Sequence, residues 1–348
     1  MSDFAARLIA WHARHGRHDL PWQGTRDPYR IWLSEVMLQQ TQVATVAPYF
    51  ERFLARFPTV ADLAAADEND VLRLWSGLGY YSRARNLHAA ARRVVAEHDG
   101  ALPRDRRALE ALPGVGRSTA AAIAAFAYSE RGAILDGNVK RVLARHFAIP
   151  GWPGTPQVER ELWSRAESLL PDADIESYTQ ALMDLGAMLC RGRAPLCALC
   201  PVQATCAAHA SGSVAAYPEP RPKRALPQRS TVMLVLVHED DVLLEKRPPS
   251  GVWGGLWCLP EAEDGRGALA VAARFASGLG PPRSLAKVAH GFTHFALDIH
   301  PLLALAERRL PLAAEAALAW RPIAHVRDEA LPAPVRRILA VLPGLVVP

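Results

Sequence analysis

Leu112-Pro113-Gly114-Val115-Gly116-Arg117-Ser118-Thr119-Ala120 is the stretch that decides the reading of this chain. It follows a short helical segment and opens another helix. Gly114 and Gly116 allow the backbone a tight turn, and the next helix starts with free N–H groups that point outward. Such an end binds phosphate without reading base sequence. A Gly-Val-Gly alone fits any helix–helix turn, whereas the whole nine-residue string is far more specific.

Outward from this turn, the first part of the chain reads as helices to about Ala210. Asp27-Pro28 is a helix start, with Asp as N-cap and Pro at the first helical position. The run from Tyr29 to Gln42 contains no Gly or Pro. Helical pattern resumes over Val43–Phe57, Leu63–Trp75, Ala84–Glu97, Ser118–Tyr128, Val139–His146, Val158–Leu169 and Tyr178–Cys190. Turn residues such as Gly151-Trp152-Pro153-Gly154 separate these elements.

Two carboxylates stand out. Glu35 lies in Ile31-Trp32-Leu33-Ser34-Glu35-Val36-Met37-Leu38. On a helix, Ile31 and Leu38 share its face, and Trp32 and Val36 flank it. A carboxyl among apolar groups has a raised pKa, which is what a general acid needs near neutral pH. The same burial would also suit a Glu satisfied by a structural partner. Asp136, in Leu135-Asp136-Gly137-Asn138-Val139, precedes a helix and reads first as its N-cap. Backbone donors at such a position would hold it ionised, fit to stabilise a cationic sugar beside a protonated Glu35.

Four of the five cysteines are clustered as Cys190-x6-Cys197-x2-Cys200-x5-Cys206. Clustered thiols in a chain whose N-terminus shows no secretory pattern point to a metal, in a reducing, intracellular compartment, rather than to disulfides. Four thiolates suit a 4Fe–4S cluster or a tetrahedral zinc. Arg191 and Arg193 lie between the first two ligands, where a braced loop would present them to phosphate or leave them simply solvated.

Past the cysteines the composition changes. Pro218, Pro220, Pro222 and Pro227 alternate with Arg221, Lys223, Arg224 and Arg229, an extended basic linker over 213–229. Thr231–Val237 then reads as a strand, Glu239-Asp240-Asp241 as a turn and Val242–Lys246 as a returning strand. The expected organisation is therefore multidomain: a helical domain over 1–212 with its cysteine loop at 190–206, the linker, and an α+β domain over 230–348. The chain has 348 residues, half of them hydrophobic, and a formal charge of +5. That balance suits a nucleic-acid partner without demanding one. No apolar run approaches the roughly 20 residues that span a bilayer.

Taken together, these strings resemble the MutY family of adenine DNA glycosylases, in the helix-hairpin-helix (endonuclease III) superfamily. Leu20-Pro21-Trp22, Trp32-Leu33-Ser34-Glu35-Val36-Met37-Leu38-Gln39-Gln40-Thr41, Gly77-Leu78-Gly79-Tyr80-Tyr81 and Leu135–Val139 are all close to that family's motifs. The resemblance implies an α-helical glycosylase domain with a 4Fe–4S loop held by Cys190, Cys197, Cys200 and Cys206. It also implies a Nudix-like α+β C-terminal domain. Its substrate would be double-stranded DNA carrying adenine opposite 8-oxoguanine or guanine. Glu35 would protonate adenine, at N7, and Asp136 would stabilise the sugar cation. Gln180 would contact the adenine, which must first leave the helix.

By the same resemblance, Gly114, Gly116, Arg117, Ser118, Arg191 and Arg193 would hold the DNA, with Lys140 nearby, and Gln40 and Tyr80 would probe the stack. Phe292-Thr293-His294 would read 8-oxoguanine, with Thr where the family usually has Ser. Bifunctional relatives carry a lysine at the Ser118 position. A hydroxyl forms no Schiff base, so base removal without efficient strand cleavage is expected, apart from adventitious lyase activity through Lys140. Ala268–Gly280 has Arg274 as its single charged residue, which excludes the magnesium cluster of a pyrophosphohydrolase. Cys258 and His290 are assigned to packing. A monomer in the bacterial cytoplasm, associated with the nucleoid, completes the expectation. The rivals are an endonuclease III-like lyase on damaged pyrimidines and a non-catalytic iron–sulphur DNA-binding protein.

Overall fold

The computed structural model describes residues 3–222, 225–311 and 317–346. Lys223 and Arg224 of the expected linker lie outside the described residues. By compactness the chain separates into two units, Met1–Ala65 with Asn86–Lys223, and Ala66–Arg85 with Arg224–Pro348. No helix among the described residues is long and apolar enough to cross a membrane.

The helices of the first two-thirds run α1 (Asp3–His15), α2 (Pro28–Leu38), α3 (Val43–Arg56), α4 (Val60–Ala65), α5 (Glu68–Leu74), α6 (Ser82–Glu97), α7 (Arg106–Glu110), α8 (Arg117–Tyr128), α9 (Gly137–His146), α10 (Pro156–Ser168), α11 (Ile175–Asp184) and α12 (Ala207–Ala210). Asp27 caps α2 as the sequence predicts, its side chain accepting from the Tyr29 N–H at 2.9 Å. Every α2 residue from Ile31 to Met37 except Glu35 is buried. The alanines of α8 are buried together. Their small side chains let α2 and α11 pack closely upon it. Phe4 and Leu8 of α1 join Val142, Leu143, Ala181 and Leu182 in one core.

Three sequence-predicted helices are cut short. The run to Gln42 ends at Leu38, because Gln40 takes the left-handed conformation at φ 58°. Leu63–Trp75 is two helices, since Asp67 turns its side chain to the Asn69 N–H at 2.8 Å and starts α5 afresh. Tyr178–Cys190 leaves the α pattern at Asp184 and finishes in a wider π-type turn over Leu185–Leu189. In each case the interruption is a local backbone choice that hydrophobic spacing does not report.

Among the described residues, the second unit contains a sheet of nine strands: β1 (Gln228–His238), β2 (Asp241–Lys246), β3 (Trp257–Cys258), β4 (Glu261–Ala262), β5 (Ala276–Leu279), β6 (Arg283–Ser284), β7 (Val288–Gly291), β8 (Ala296–Arg309) and β9 (Leu318–Pro322). The central path is β3-β2-β1-β8-β5, and β1 and β8 run parallel, Gln228 opposite Ala296 through Val237 opposite Leu305. Met233–Val237 of β1 is continuously buried. The reason is that both faces are covered. Met233, Val235 and Val237 meet Val335 and Ile338 of the helix Ala333–Leu339. Leu234 and Leu236 meet Ala268 and Ala272 of α13 (Gly265–Phe275). Cys258 belongs to the first of these cores. His290 packs its ring against Trp253 and Phe292.

Candidate active site and cysteine centre

Glu35 opens onto a cavity of about 480 Å³, bordered also by Arg17, Trp22, Ser34, Phe126 and Gln180. Apolar surroundings push its carboxyl up to about 8, and the negative charge of Asp136 adds to the rise. A group titrating there is largely protonated at neutral pH and has a proton to give.

Asp136 caps α9 as the spacing predicts, accepting from the Val139 N–H at 2.7 Å. Burial raises its pKa, and the backbone donors of Val139 and Asn138, with Arg141 and Lys140, oppose that rise without cancelling it. Lys140 itself is paired with Glu159 at 2.6 Å.

The hairpin is built as its glycines require. Gly114 has φ 77°, and a Cβ there would lie 2.8 Å from the Cβ of Asn86. Gly116 is the N-cap of α8 and has no side chain to cover the helix end, where the space around its Cα is open. Arg117 is not free: it pairs with Glu167 and lies over the Trp163 ring, 3.9 Å from its centroid. Ser118 accepts from the Leu135 N–H at 2.9 Å.

All four clustered cysteines border one small cavity of about 30 Å³. Burial and the other three thiols together push Cys200 up to about 11. No three His, Cys, Asp or Glu among the described residues stand close enough to hold a single metal ion. Four thiols bordering one cavity form a donor set that suits a group held by four thiolates.

The sequence reading missed the residues that hold this loop. Arg145 is buried. It donates to the carbonyls of Arg191 at 2.7 Å, Gly192 at 3.1 Å and Tyr217 at 2.8 Å, and to the Cys190 sulphur at 3.4 Å. Arg141 reaches the Cys190 carbonyl at 2.8 Å and that of Gly186 at 2.8 Å. Their spacing, i and i+4 on α9, places both on one face, but nothing local says what that face meets. Arg191 and Arg193 themselves are exposed.

The remaining residues singled out from sequence are on the surface or in loops. Gln40 and Tyr80 both adopt the left-handed backbone, at φ 58° and 48°, and both are exposed. Non-glycine residues avoid this region at a cost of about 1–2 kcal/mol, and such strain collects at functional loops. Phe292-Thr293-His294 lies in the tight turn between β7 and β8, closed by the Phe292 N–H on the Phe295 carbonyl at 2.8 Å. Phe292 stacks on Phe295 at 4.4 Å, and Thr293 and His294 are exposed.

Compared with known proteins, residues 33–168 match the family of HhH-GPD superfamily base excision DNA repair proteins, and residues 231–341 match the NUDIX domain. An adenine DNA glycosylase of Buchnera aphidicola is 35% identical over 97% of this chain and 96% of its own length. This chain belongs to the adenine DNA glycosylase family. The human adenine DNA glycosylase is 36% identical over 84% of the chain and 65% of its own length. Among solved structures, a thermostable thymine-DNA glycosylase aligns with TM-score 0.55 and 30% identity, covering 60% of this chain and 95% of that one. Family membership thus agrees with both halves of the fold, a helical glycosylase domain and a Nudix-like α+β domain.

Proposed function

We propose that the chain is an adenine DNA glycosylase of base excision repair that removes adenine opposite 8-oxoguanine or guanine in double-stranded DNA. The observation that carries this reading is Glu35, held near pKa 8 at the edge of a cavity and under the influence of Asp136. Glu35 delivers its proton to the flipped base, at N7. The glycosidic bond then breaks, with its electron pair leaving on the base. The sugar becomes an oxocarbenium-like cation that the ionised Asp136 stabilises, and water adds at the anomeric carbon, giving up a proton to the Glu35 carboxylate and so restoring the acid.

Gln180, on the cavity wall, contacts the adenine. Gly114, Gly116, Arg117, Ser118, Arg191 and Arg193 hold the backbone, and Gln40 and Tyr80 probe the stack. Phe292, Thr293 and His294 recognise the 8-oxoguanine. Strand cleavage is not efficient, since Ser118 offers no amine and the Lys140 ammonium is engaged by Glu159. Cys190, Cys197, Cys200 and Cys206 hold a 4Fe–4S cluster, which braces the Arg191–Arg193 loop and takes no part in the chemistry. The enzyme acts as a monomer in the cytoplasm.

Single-turnover adenine release tests this, using duplexes with adenine opposite 8-oxoguanine, guanine or thymine. Release should be fast opposite 8-oxoguanine, slower opposite guanine and absent opposite thymine. Release with equal speed from all three, or from none by the folded, cluster-loaded protein, overturns the reading.

A further inference from the structure

Asp184 is fully buried, at 0% exposure, at the last turn of α11. Its two oxygens accept from the Arg17 backbone N–H at 2.7 Å and from the Arg17 Nε at 2.8 Å and Nη2. One oxygen also accepts from the Gln180 Nε2 at 2.9 Å. The His12 ring stands 3.6 Å away. Asp184 does not border the Glu35 cavity, whereas Gln180, one helical turn before it, does.

The consequence lies in the side-chain amide. An amide can present either its NH2 or its oxygen, and the choice is set by its partners. A carboxylate gripped by the Arg17 donors can only accept, so it draws the NH2 of Gln180 toward itself. The oxygen Oε1 is then left for the cavity. We propose that Asp184 is a positioning residue that fixes the Gln180 amide with its acceptor toward the base. The pocket then selects a purine with an amino group at C6 and rejects one with a carbonyl there. An amino group donates to Oε1, whereas a carbonyl would set its lone pairs against those of Oε1. This rests on the reading of the cavity as the adenine pocket.

The test compares single-turnover release of adenine and of hypoxanthine, each opposite 8-oxoguanine. Asp184→Asn can donate as well as accept, so Gln180 is free to turn over. In D184N the adenine-to-hypoxanthine rate ratio should fall by about tenfold or more. Adding Gln180→Glu should restore it, because a carboxylate presents acceptors whichever way it turns. A merely structural role would slow both bases alike and leave the ratio where it was.

An unchanged ratio in folded D184N overturns the proposal while leaving the proposed activity intact. No adenine release by the unaltered enzyme sinks that activity instead. If D184N does not fold, as thermal melting would report, Gln180→Leu decides: a ratio like that of the unaltered enzyme overturns the proposal, and a narrowed ratio supports it.

Discussion

The Leu135 N–H donates to Ser118 Oγ at 2.9 Å, so the first turn of the hairpin helix α8 is tied to the residue that precedes Asp136. The position at which bifunctional relatives carry a nucleophilic lysine is used here to hold the approach to a carboxylate. Ser118→Ala leaves a partly buried N–H without that acceptor. It should cost about 1–2 kcal/mol of stability, read by urea melting. It should also slow adenine release more than it weakens DNA binding. A release rate equal to that of the unaltered enzyme would separate the hairpin from the Asp136 loop.

Glu35→Gln removes the proton donor and should reduce single-turnover release by about 10²–10⁴-fold. In the unaltered protein the rate should fall as pH rises through about 8, because Glu35 then loses its proton. At acid pH it should fall again as Asp136 becomes protonated, at a pH above the ordinary carboxyl value. A profile flat from neutral to alkaline pH would remove Glu35 from the role of acid.

The same substitution should stabilise the fold at neutral pH. Glu35 titrates at about 8 in the folded protein against 4.5 unfolded. Folding therefore takes up a proton between these values, and the group's contribution to stability declines as pH rises across that window. Glu35→Gln has no such dependence. It should be equal in stability to the parent below pH 4.5 and about 1–3 kcal/mol more stable near pH 8, allowing for the residue's partial exposure. Denaturant melts across the range would show the two curves parting, or would show the carboxyl to be satisfied by a partner.

Arg145→Ala should cost about 3 kcal/mol or more, since it strips three carbonyls and the Cys190 sulphur of a buried donor. Iron content and visible absorption should drop with DNA affinity, whereas Arg191→Ala should lower affinity alone. Full iron content in folded Arg145→Ala would mean that the loop closes without it.

Much of the local structure around the candidate site was legible in the residues themselves. The hairpin string, the apolar helix around Glu35, the capping Asp136 and the four-cysteine spacing are each local patterns, formed within a few turns of chain. Helical periodicity and cap rules report such patterns directly, as does the continuous apolar run of Met233–Val237. What tertiary structure decided is where those patterns meet. Asp184 and Arg17 are 167 residues apart, and no spacing announces that one carboxylate would gather the other's donors and turn Gln180. Arg141 and Arg145 look like ordinary helix cations until the cysteine loop folds over them. Even Asp136, read correctly as a cap, carries a pKa that its own segment does not determine. Desolvation and long-range charge depend on everything packed around a group, and the sequence states only what lies beside it along the chain.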